Sequence, residues 1–221
     1  MEIKQLVTAA CLVACADTAL AQSAWYAGVE LGQIDHYYLP EYTSAYNGEI
    51  SSFRNDSDGT EIGLLAGISL PVAQHFSMAV EARIARNDSE WTLYLPNEPA
   101  SFSYEIPTTV ALSVKPVFQF NEKISAFGEI GFASGDVREW KSSPAADRSS
   151  YDFTEWVEGW VWGLGVAFHL SETWSLHAVY RETDYSELEY KTYLPNGTHL
   201  ETVRDNPETE AISMGLIYRF R

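Results

Sequence analysis

Charged side chains recur at alternate positions of otherwise apolar stretches, a pattern that places single acids and bases on a shared inner face. Such a row can conduct protons or ions, or it can form ion pairs that fill an interior. We expect pairing, because a charge removed from bulk water requires a partner. The candidates are Glu30, Glu61, Glu81, Arg83, Lys115, Glu129 and Arg219, with His177 in the same kind of position.

Two pairs of histidine and serine have the residue types of a nucleophilic site. His169 and Ser171 form a His-x-Ser pair, and Ser175 and His177 lie together on the next segment. A serine nucleophile needs a base within hydrogen-bond reach and a third group that orients the base. The first pair lies in a turn, where such residues are common, and the second has no obvious acid beside it on its face. We therefore expect no catalytic residue.

The run Asn-Asp-Ser-Asp-Gly at positions 55–59 has the composition of a calcium-binding loop. It lacks the spaced ligands and the distal bidentate glutamate that such a loop requires. Hairpin turn chemistry explains the same residues more simply. We expect neither a metal ion nor a cofactor.

The elements that position these residues have a period of two. Eight segments alternate large apolar residues with Gly, Ala, Ser and isolated charges, which is the pattern of β-strands with two different faces. Their first apolar residues are Trp25, Ile62, Phe76, Val110, Ile124, Trp160, Trp174 and Ile212. In the fifth segment, Phe127 departs from the alternation.

The connections between these strands alternate in length. Tight turns at 71–75, 121–123 and 171–173 alternate with long polar stretches at 35–59, 87–106, 134–155 and 182–209. All long connections therefore lie at one end of an up-and-down arrangement. This predicts an all-β fold, an eight-stranded antiparallel barrel with short turns at one end and long hairpin loops at the other.

The two faces of the strands decide between a soluble and a membrane barrel. A soluble barrel presents long charged side chains outside and apolar ones inside. Here the bulky face carries Trp, Tyr, Phe, Leu and Ile, whereas the other face is mostly small. Bulky apolar residues suit lipid and small residues suit a narrow lumen, so we predict a transmembrane barrel.

The C-terminal segment Ser213-Met214-Gly215-Leu216-Ile217-Tyr218-Arg219-Phe220 resembles the terminal signal of outer-membrane β-barrels, although one residue follows the final aromatic. The matching positions are Gly215, Tyr218 and Phe220. With its eight strands, the chain resembles the small outer-membrane barrels of the OmpX/OmpA-barrel type. That resemblance implies recognition by the barrel-assembly machinery, residence in the cell outer membrane of a Gram-negative bacterium, and contact with outer-membrane lipid and lipopolysaccharide.

The N-terminus has the features of an export signal. An apolar run from Leu6 to Ala16 is followed by Ala19-Leu20-Ala21, the small residues that a signal peptidase reads. We predict a signal peptide over 1–21 and a barrel domain over 22–221. The alternative is lipidation at Cys15, because Leu12-Val13-Ala14-Cys15 resembles the lipobox of bacterial lipoproteins.

The chain is strongly acidic, with 14 Lys plus Arg against 31 Asp plus Glu and a net charge of -17. Phosphate neutralisation needs clustered bases, so nucleic acid is excluded as a partner. The fourth long stretch, 182–210, holds eight acids against Lys191 and Arg204. The outward surface is therefore expected to be acidic.

A Tyr-Leu-Pro element recurs in three of the long stretches, and aromatic residues alternate loosely around it. We predict hairpins that continue as strands beyond the membrane and turn at Asn-Gly-like tips. Their exposed aromatics would contact a partner. An alternative is that the loops pack on one another as a cap. The contact candidates are Tyr38, Leu39, Trp91, Tyr94, Leu95, Tyr193 and Leu194.

Together these features predict a non-enzymatic outer-membrane scaffold, closed to solutes, that presents acidic, aromatic hairpins to an extracellular surface or protein partner. Two alternatives remain. The first is an outer-membrane enzyme that modifies lipid, since some barrels of this size act on lipid A and one deacylase uses a His-x-Ser pair with a carboxylate. The second is a narrow channel for small hydrophobic molecules.

Overall fold

The computed structural model describes residues 23–52, 55–94, 101–142, 151–193 and 197–220. No helix in these ranges is long and apolar enough to cross a membrane. The strands are β1 (Ala24–Tyr38), β2 (Glu41–Ser44), β3 (Ile50–Ser52), β4 (Asn55–Ala73), β5 (Phe76–Asn87), β6 (Glu90–Tyr94), β7 (Ser101–Glu105), β8 (Thr108–Gln119), β9 (Ile124–Ser142), β10 (Tyr151–His169), β11 (Trp174–Tyr185), β12 (Leu188–Tyr193), β13 (His199–Asp205) and β14 (Glu208–Arg219).

Eight of these strands close into an antiparallel barrel. The order is β10, β11, β14, β1, β4, β5, β8 and β9, and the pairing of β9 with β10 closes the circle. The connections after β4, β8 and β10 are short, as predicted. The predicted fold is therefore confirmed, with eight strands and all long hairpins at one end.

The two faces of the barrel wall are filled as the alternation predicts. Large apolar side chains such as Trp160, Leu164 and Phe168 point outward and are exposed, whereas Ser113 and Glu129 are buried in the lumen. Phe127 also points inward, beside Lys115, which explains its departure from the pattern. Its ring fills the space over Gly165, where an added Cβ would clash with it.

The alternation reverses towards the long-hairpin end. The outward apolar run stops near Leu31 on β1 and Trp160 on β10, and beyond it apolar side chains such as Ile34 and Val157 point inward, although Trp156 still faces outward. Tyr38, Val137 and Val157 are buried there in one cluster. Because apolar residues face outward only where lipid surrounds the wall, this reversal marks the outer limit of the membrane-spanning part.

The long connections are largely strands. β1, β4, β9 and β10 have 15, 19, 19 and 19 residues, so they extend well past the reversal. The hairpin of β6 and β7 joins the barrel sheet through β9, and β12, β13, β2 and β3 form a separate four-stranded sheet. We call these six strands the cap.

Turn chemistry at the cap follows the predicted asparagine-glycine pattern. Gly48 and Gly197 have φ angles of 69° and 82°, in the left-handed region that glycine tolerates best. Gly48 follows Asn47, and Asn47 accepts a hydrogen bond from the backbone amide of Glu49 at 3.0 Å. The turn that joins β2 to β3 is therefore specified locally.

Candidate functional site: the lumen and the cap

Glu30 is the centre of an ion-pair network that crosses the lumen. Its carboxylate is 2.8 Å from the Arg83 Nε, 2.8 Å from the Arg181 Nη2 and 2.8 Å from the His177 Nε2. These residues lie on β1, β5 and β11, so the contacts span the barrel interior rather than follow its wall. Glu30 is 1% exposed, and its burial requires this many partners.

A second carboxylate extends the network across the lumen. The Arg181 Nε is 2.9 Å from Glu129, and the Lys115 Nζ is 3.3 Å from the same carboxylate. Lys115 also pairs with Glu81, which accepts a hydrogen bond from the Tyr26 hydroxyl at 3.0 Å.

Glu61 completes the set, because it pairs with the Arg83 Nη2 and accepts a 3.4 Å hydrogen bond from Ser213. The lumen network therefore contains four carboxylates and three Lys or Arg side chains, with His177 as a further partner of Glu30. The structure brings six of the seven predicted residues together. The members are Glu30, Glu61, Glu81, Arg83, Lys115, Glu129, His177 and Arg181.

Two residues differ from the predicted set. Arg219 is exposed at the short-turn end, below the lumen network, so its predicted membership is wrong. Its position at the last residue of β14 leaves it near solvent, where it needs no ion-pair partner. The predicted set does not include Arg181, because the apolar alternation of the seventh segment, Trp174, Leu176, Ala178 and Tyr180, stops just before it. Extending the alternation of His177 and Val179 by one step would have identified it.

Below the lumen network, the barrel holds a cavity of about 110 Å³. It is bounded by Glu81 and Lys115 above and shares Ser125, His169 and Arg219 with a second cavity that reaches the short turns. The lumen is therefore open to solvent from the short-turn end only as far as the lumen network.

His169 in this cavity contacts two serines. Its Nδ1 is 2.8 Å from the Ser175 hydroxyl, and its Nε2 is 3.2 Å from the Ser125 hydroxyl. Ser171, the predicted sequence partner, instead accepts a hydrogen bond from the backbone amide of Trp174 at 3.0 Å, as a turn residue does. Because both ring nitrogens contact hydroxyls, no carboxylate orients this base.

Above the lumen network, a cluster of apolar side chains from the barrel strands and the cap fills the barrel. It consists of Tyr38, Tyr104, Ile106, Val137, Val157, Tyr185 and Leu188, with Trp91, Phe153 and Tyr190 packed against it. The interior is thus occupied at two levels, first by ion pairs and then by packed side chains.

The residues predicted to contact a partner lie in different environments. Tyr38 is 2% exposed, and the prediction that it contacts a partner is wrong, because the reversal of the alternation turns it into the cluster. Leu39 is 56% exposed, whereas Trp91 is partly buried against the cluster. Tyr94 and Tyr193 end β6 and β12. Leu95 and Leu194 lie outside the described residues.

The outer surface beyond the reversal carries aligned acids that sequence reasoning did not group. One register row joins Glu182, Glu210, Asp35 and Asp58 across four adjacent strands. The next outward row holds Asp184, Glu208 and Asp56. Only the strand register brings these residues together. The first row directly follows the last outward apolar residue on β11 and β14 and lies one outward position farther on β1 and β4.

Two of the predicted assembly-signal residues, Gly215 and Tyr218, lie on β14, and Phe220 follows the last residue of that strand. Tyr218 and Phe220 point outward with ring centroids 5.1 Å apart, and Trp174 packs 4.9 Å from Tyr218. Gly215 faces the lumen, where an added Cβ would lie 2.7 Å from the Val29 carbonyl oxygen. Recognition of these residues by the assembly machinery stays a prediction.

The family model described as outer membrane protein beta-barrel domain matches residues 7–220. No curated protein is significantly similar in sequence to this chain. Among solved structures, the outer membrane protease OmpT from Escherichia coli is similar, with a TM-score of 0.59 and 10% identity over 89% of this chain and 97% of that one.

Two smaller similarities have TM-scores below 0.5. Ail of Yersinia pestis, solved with the heparin analogue sucrose octasulfate, has a TM-score of 0.43 and 13% identity over 89% of this chain and 99% of that one. OprG from Pseudomonas aeruginosa has a TM-score of 0.47 and 12% identity over 90% and 97%. The similarity to OmpT, at 10% identity, indicates a shared fold alone.

Proposed function

The chain belongs to the outer membrane protein beta-barrel domain family, and from this premise we propose that it is a non-enzymatic scaffold whose extracellular hairpins contact a surface or protein partner. Its place is the cell outer membrane, with the long hairpins outside. The barrel holds the hairpins in position and passes no solute. The contact with a partner is made at the cap and its tips.

The observation that carries this proposal is the reversal of the alternation. Above the membrane, the barrel continues with its own apolar cluster, so the hairpins are held on a packed base rather than left as loose loops. Binding residues commonly lie on loops that a rigid scaffold positions. A barrel whose only task was to span the membrane would not need this second core.

Charge indicates which partners suit this surface. The acidic rows repel the phosphates of lipopolysaccharide unless divalent cations bridge them, and they favour basic partners. Binding through these rows should weaken as salt rises, because exposed charges are screened.

The lumen argues against the two alternatives. A channel needs a continuous path, and here the lumen network and the cluster occupy the interior in succession. A serine enzyme needs an oriented base, and His169 contacts two hydroxyls instead of a carboxylate. The cavity around His169 still gives a lipid-modifying enzyme one observation in its favour. Hydrolysis of a lipid ester that stops in Ser175→Ala would support that alternative.

The deciding experiment shortens the second and fourth hairpins, around positions 95–96 and 194–195, to Asn-Gly turns. The matched control shortens the third hairpin within 143–150. Folding is measured by heat-dependent gel mobility, and binding is measured by adhesion of expressing cells to host-cell and matrix surfaces. We expect normal folding and lost adhesion only in the first variant. Unchanged adhesion, or collapse of the barrel, would mean that the hairpins serve only as a structural cap.

A further inference from the structure

A small pocket lies in the cap beside the cluster. Its inner wall contains the buried residues Tyr104, Glu139 and Asp205, and its rim contains the half-buried Trp91 and Tyr190. The free volume is about 20 Å³. A cavity needs roughly 10–15 Å³ to hold one water molecule, so this pocket takes a single group of that size.

Asp205 is the charged group at the base of the pocket. It is 3% exposed, and its Oδ1 accepts a 3.2 Å hydrogen bond from the Leu39 amide. The described side chains that line the pocket include a second buried carboxylate, Glu139, and no Lys, Arg or His. Burial, together with the nearby charge of Glu139, raises the pKa of Asp205 to about 6. A bound cation would stabilise the charged form of a carboxylate buried in such surroundings.

Tyr104 supplies a second polar group. Its hydroxyl is buried close to the Asp205 carboxylate, but the two groups are not aligned as a hydrogen bond of good geometry. Its ring packs edge-on against Tyr38 with centroids 4.0 Å apart, which fixes its position. A buried hydroxyl without a partner costs free energy that a bound donor would recover.

The aromatic side chains at the rim of the pocket suit a cationic ligand with an alkyl stem. Tyr42, Trp91 and Tyr190 stand at the rim, where the faces of aromatic rings attract cations and cover an alkyl stem. A divalent metal is a poor fit, because no group of three metal-ligating acids, cysteines or histidines occurs in the described ranges. An ammonium group has three donors and no acceptor, which matches a pocket lined by oxygen acceptors.

We infer that this pocket binds a primary alkylammonium group, with the nitrogen at Asp205 and Tyr104 and the alkyl stem between the rim aromatics. The group could be supplied by a free polyamine or by a lysine side chain of a partner protein. The inference deepens the proposed function, on which it rests, because it names the chemistry that the cap recognises.

The test titrates n-butylammonium chloride into the purified full chain in lipid nanodiscs and follows the heat of binding. Neutral n-butanol is the ligand control. We expect saturable binding of one n-butylammonium per chain and none of n-butanol. Asp205→Asn should weaken binding at least about tenfold, and Tyr104→Phe about threefold or more, as expected for lost hydrogen bonds to a charged group.

The matched control is Asp184→Asn, which removes one acid from the exposed outer face. It should change the affinity less than about twofold, since screened surface charge contributes little. Heat-dependent gel mobility establishes that each variant is folded, and Tyr104→Phe keeps the test decisive if Asp205→Asn does not fold. If n-butylammonium shows no saturable binding, the inference is wrong. If it binds the pocket variants and the wild type with equal affinity, it binds elsewhere and the inference is also wrong.

Two further ligands distinguish the sources. Spermidine represents a free polyamine, Nα-acetyl-lysine amide represents a protein side chain, and the Nε-acetylated form of the latter is its neutral control. Whichever of spermidine and Nα-acetyl-lysine amide binds more tightly identifies the source of the ammonium group. If butylammonium does not bind while cell adhesion persists, the inference fails alone. If adhesion is independent of the hairpins while butylammonium still binds, the proposed function fails alone.

Discussion

Arg181 connects the two sides of the lumen network, since its guanidinium contacts both Glu30 and Glu129. Removing the guanidinium leaves two buried carboxylates with fewer cations. We expect Arg181→Met to lower the free energy of unfolding by about 3–5 kcal/mol, the usual cost of breaking a buried pair from one side. Urea unfolding in lipid vesicles, followed by tryptophan fluorescence, measures this.

The control for this variant is Arg204→Met. Arg204 pairs with Glu189 at 2.8 Å, but both side chains are largely exposed. Exposed pairs contribute at most about 1 kcal/mol, so this change should be small. Equal effects of the two substitutions would show that the lumen network contributes no more than a surface ion pair.

Asp205 predicts a pH dependence that its substitution can isolate. Its folded pKa of about 6 is above the ordinary value near 3.9, so the folded state holds the proton more tightly. Below about pH 4 the carboxyl is protonated in both the folded and the unfolded state. The free energy of unfolding then falls as the pH rises from about 4 to 6, because the unfolded state loses this proton first. Asp205→Asn should therefore be more stable than wild type at pH 8, by up to about 3 kcal/mol, and nearly equal to it at pH 4.

The titration of His36 changes stability with pH in the opposite direction. The effect of Asp205 must therefore be measured as a difference between the variant and the wild type. Burial lowers its pKa to about 4, so the neutral ring is tolerated and stability falls as pH drops from about 6.5 to 4. Comparing unfolding midpoints of Asp205→Asn and wild type at each pH cancels this contribution. A difference that does not change with pH would mean that Asp205 titrates normally.

At the residue scale, the sequence predicted the lumen acids because each stands alone in an apolar alternation. Tyr38 and Trp91 could not be placed in the same way, because an aromatic residue next to a turn suits both an exposed tip and a buried cluster. The Asp205 pocket was beyond prediction, since its walls come from strands distant in sequence.

At the element scale, β10 contains both environments on one outward face. Leu164 lies in the middle of the apolar run and is 65% exposed to lipid, whereas Trp156 is 51% exposed beyond the reversal. We expect Leu164→Arg to cost about 2–4 kcal/mol of unfolding free energy, and Trp156→Arg about 1 kcal/mol or less, because the cost of a charge falls towards the interface. Unfolding in vesicles compares them directly, and equal costs would place the membrane boundary elsewhere.

The last strand offers a second test at this scale. Phe220 points outward and packs against Tyr218 at the short-turn end. Replacing it with aspartate should reduce the amount of barrel in outer-membrane fractions, because the terminal aromatics match the assembly signal. The control is Trp174→Phe, which keeps an aromatic ring beside Tyr218. Normal assembly of Phe220→Asp would make the terminal match accidental.

Strand existence and order were predictable, because alternation and turn residues are local signals. The sheet of β12, β13, β2 and β3 was not, since it pairs segments from the first and fourth hairpins. Only the loose alternation around Tyr190 indicated strands there, and it lies in β12 and β13. The register that aligns the acidic rows is likewise absent from any single segment.

For the whole molecule, occupation of the lumen at two levels predicts no steady conductance. We expect wild-type protein in planar bilayers to show no nanosiemens steps, because ion pairs and then the cluster block the path. The comparison is a variant with Lys115→Met and Val137→Gly, which weakens both levels. Large regular steps from the wild type would refute the closed scaffold.

The pairing of β1 with β14 means that the barrel is closed by its first and last strands. Until they meet, the chain has two unpaired edges, and Glu30 on β1 stands far from Arg181, whose neighbour β14 arrives last. The attraction between them is therefore realised only on ring closure, late in folding. A barrel that is still open between β1 and β14 therefore lacks the contacts of Glu30 with Arg181 and His177, and only the closed ring gives this carboxylate all of its partners.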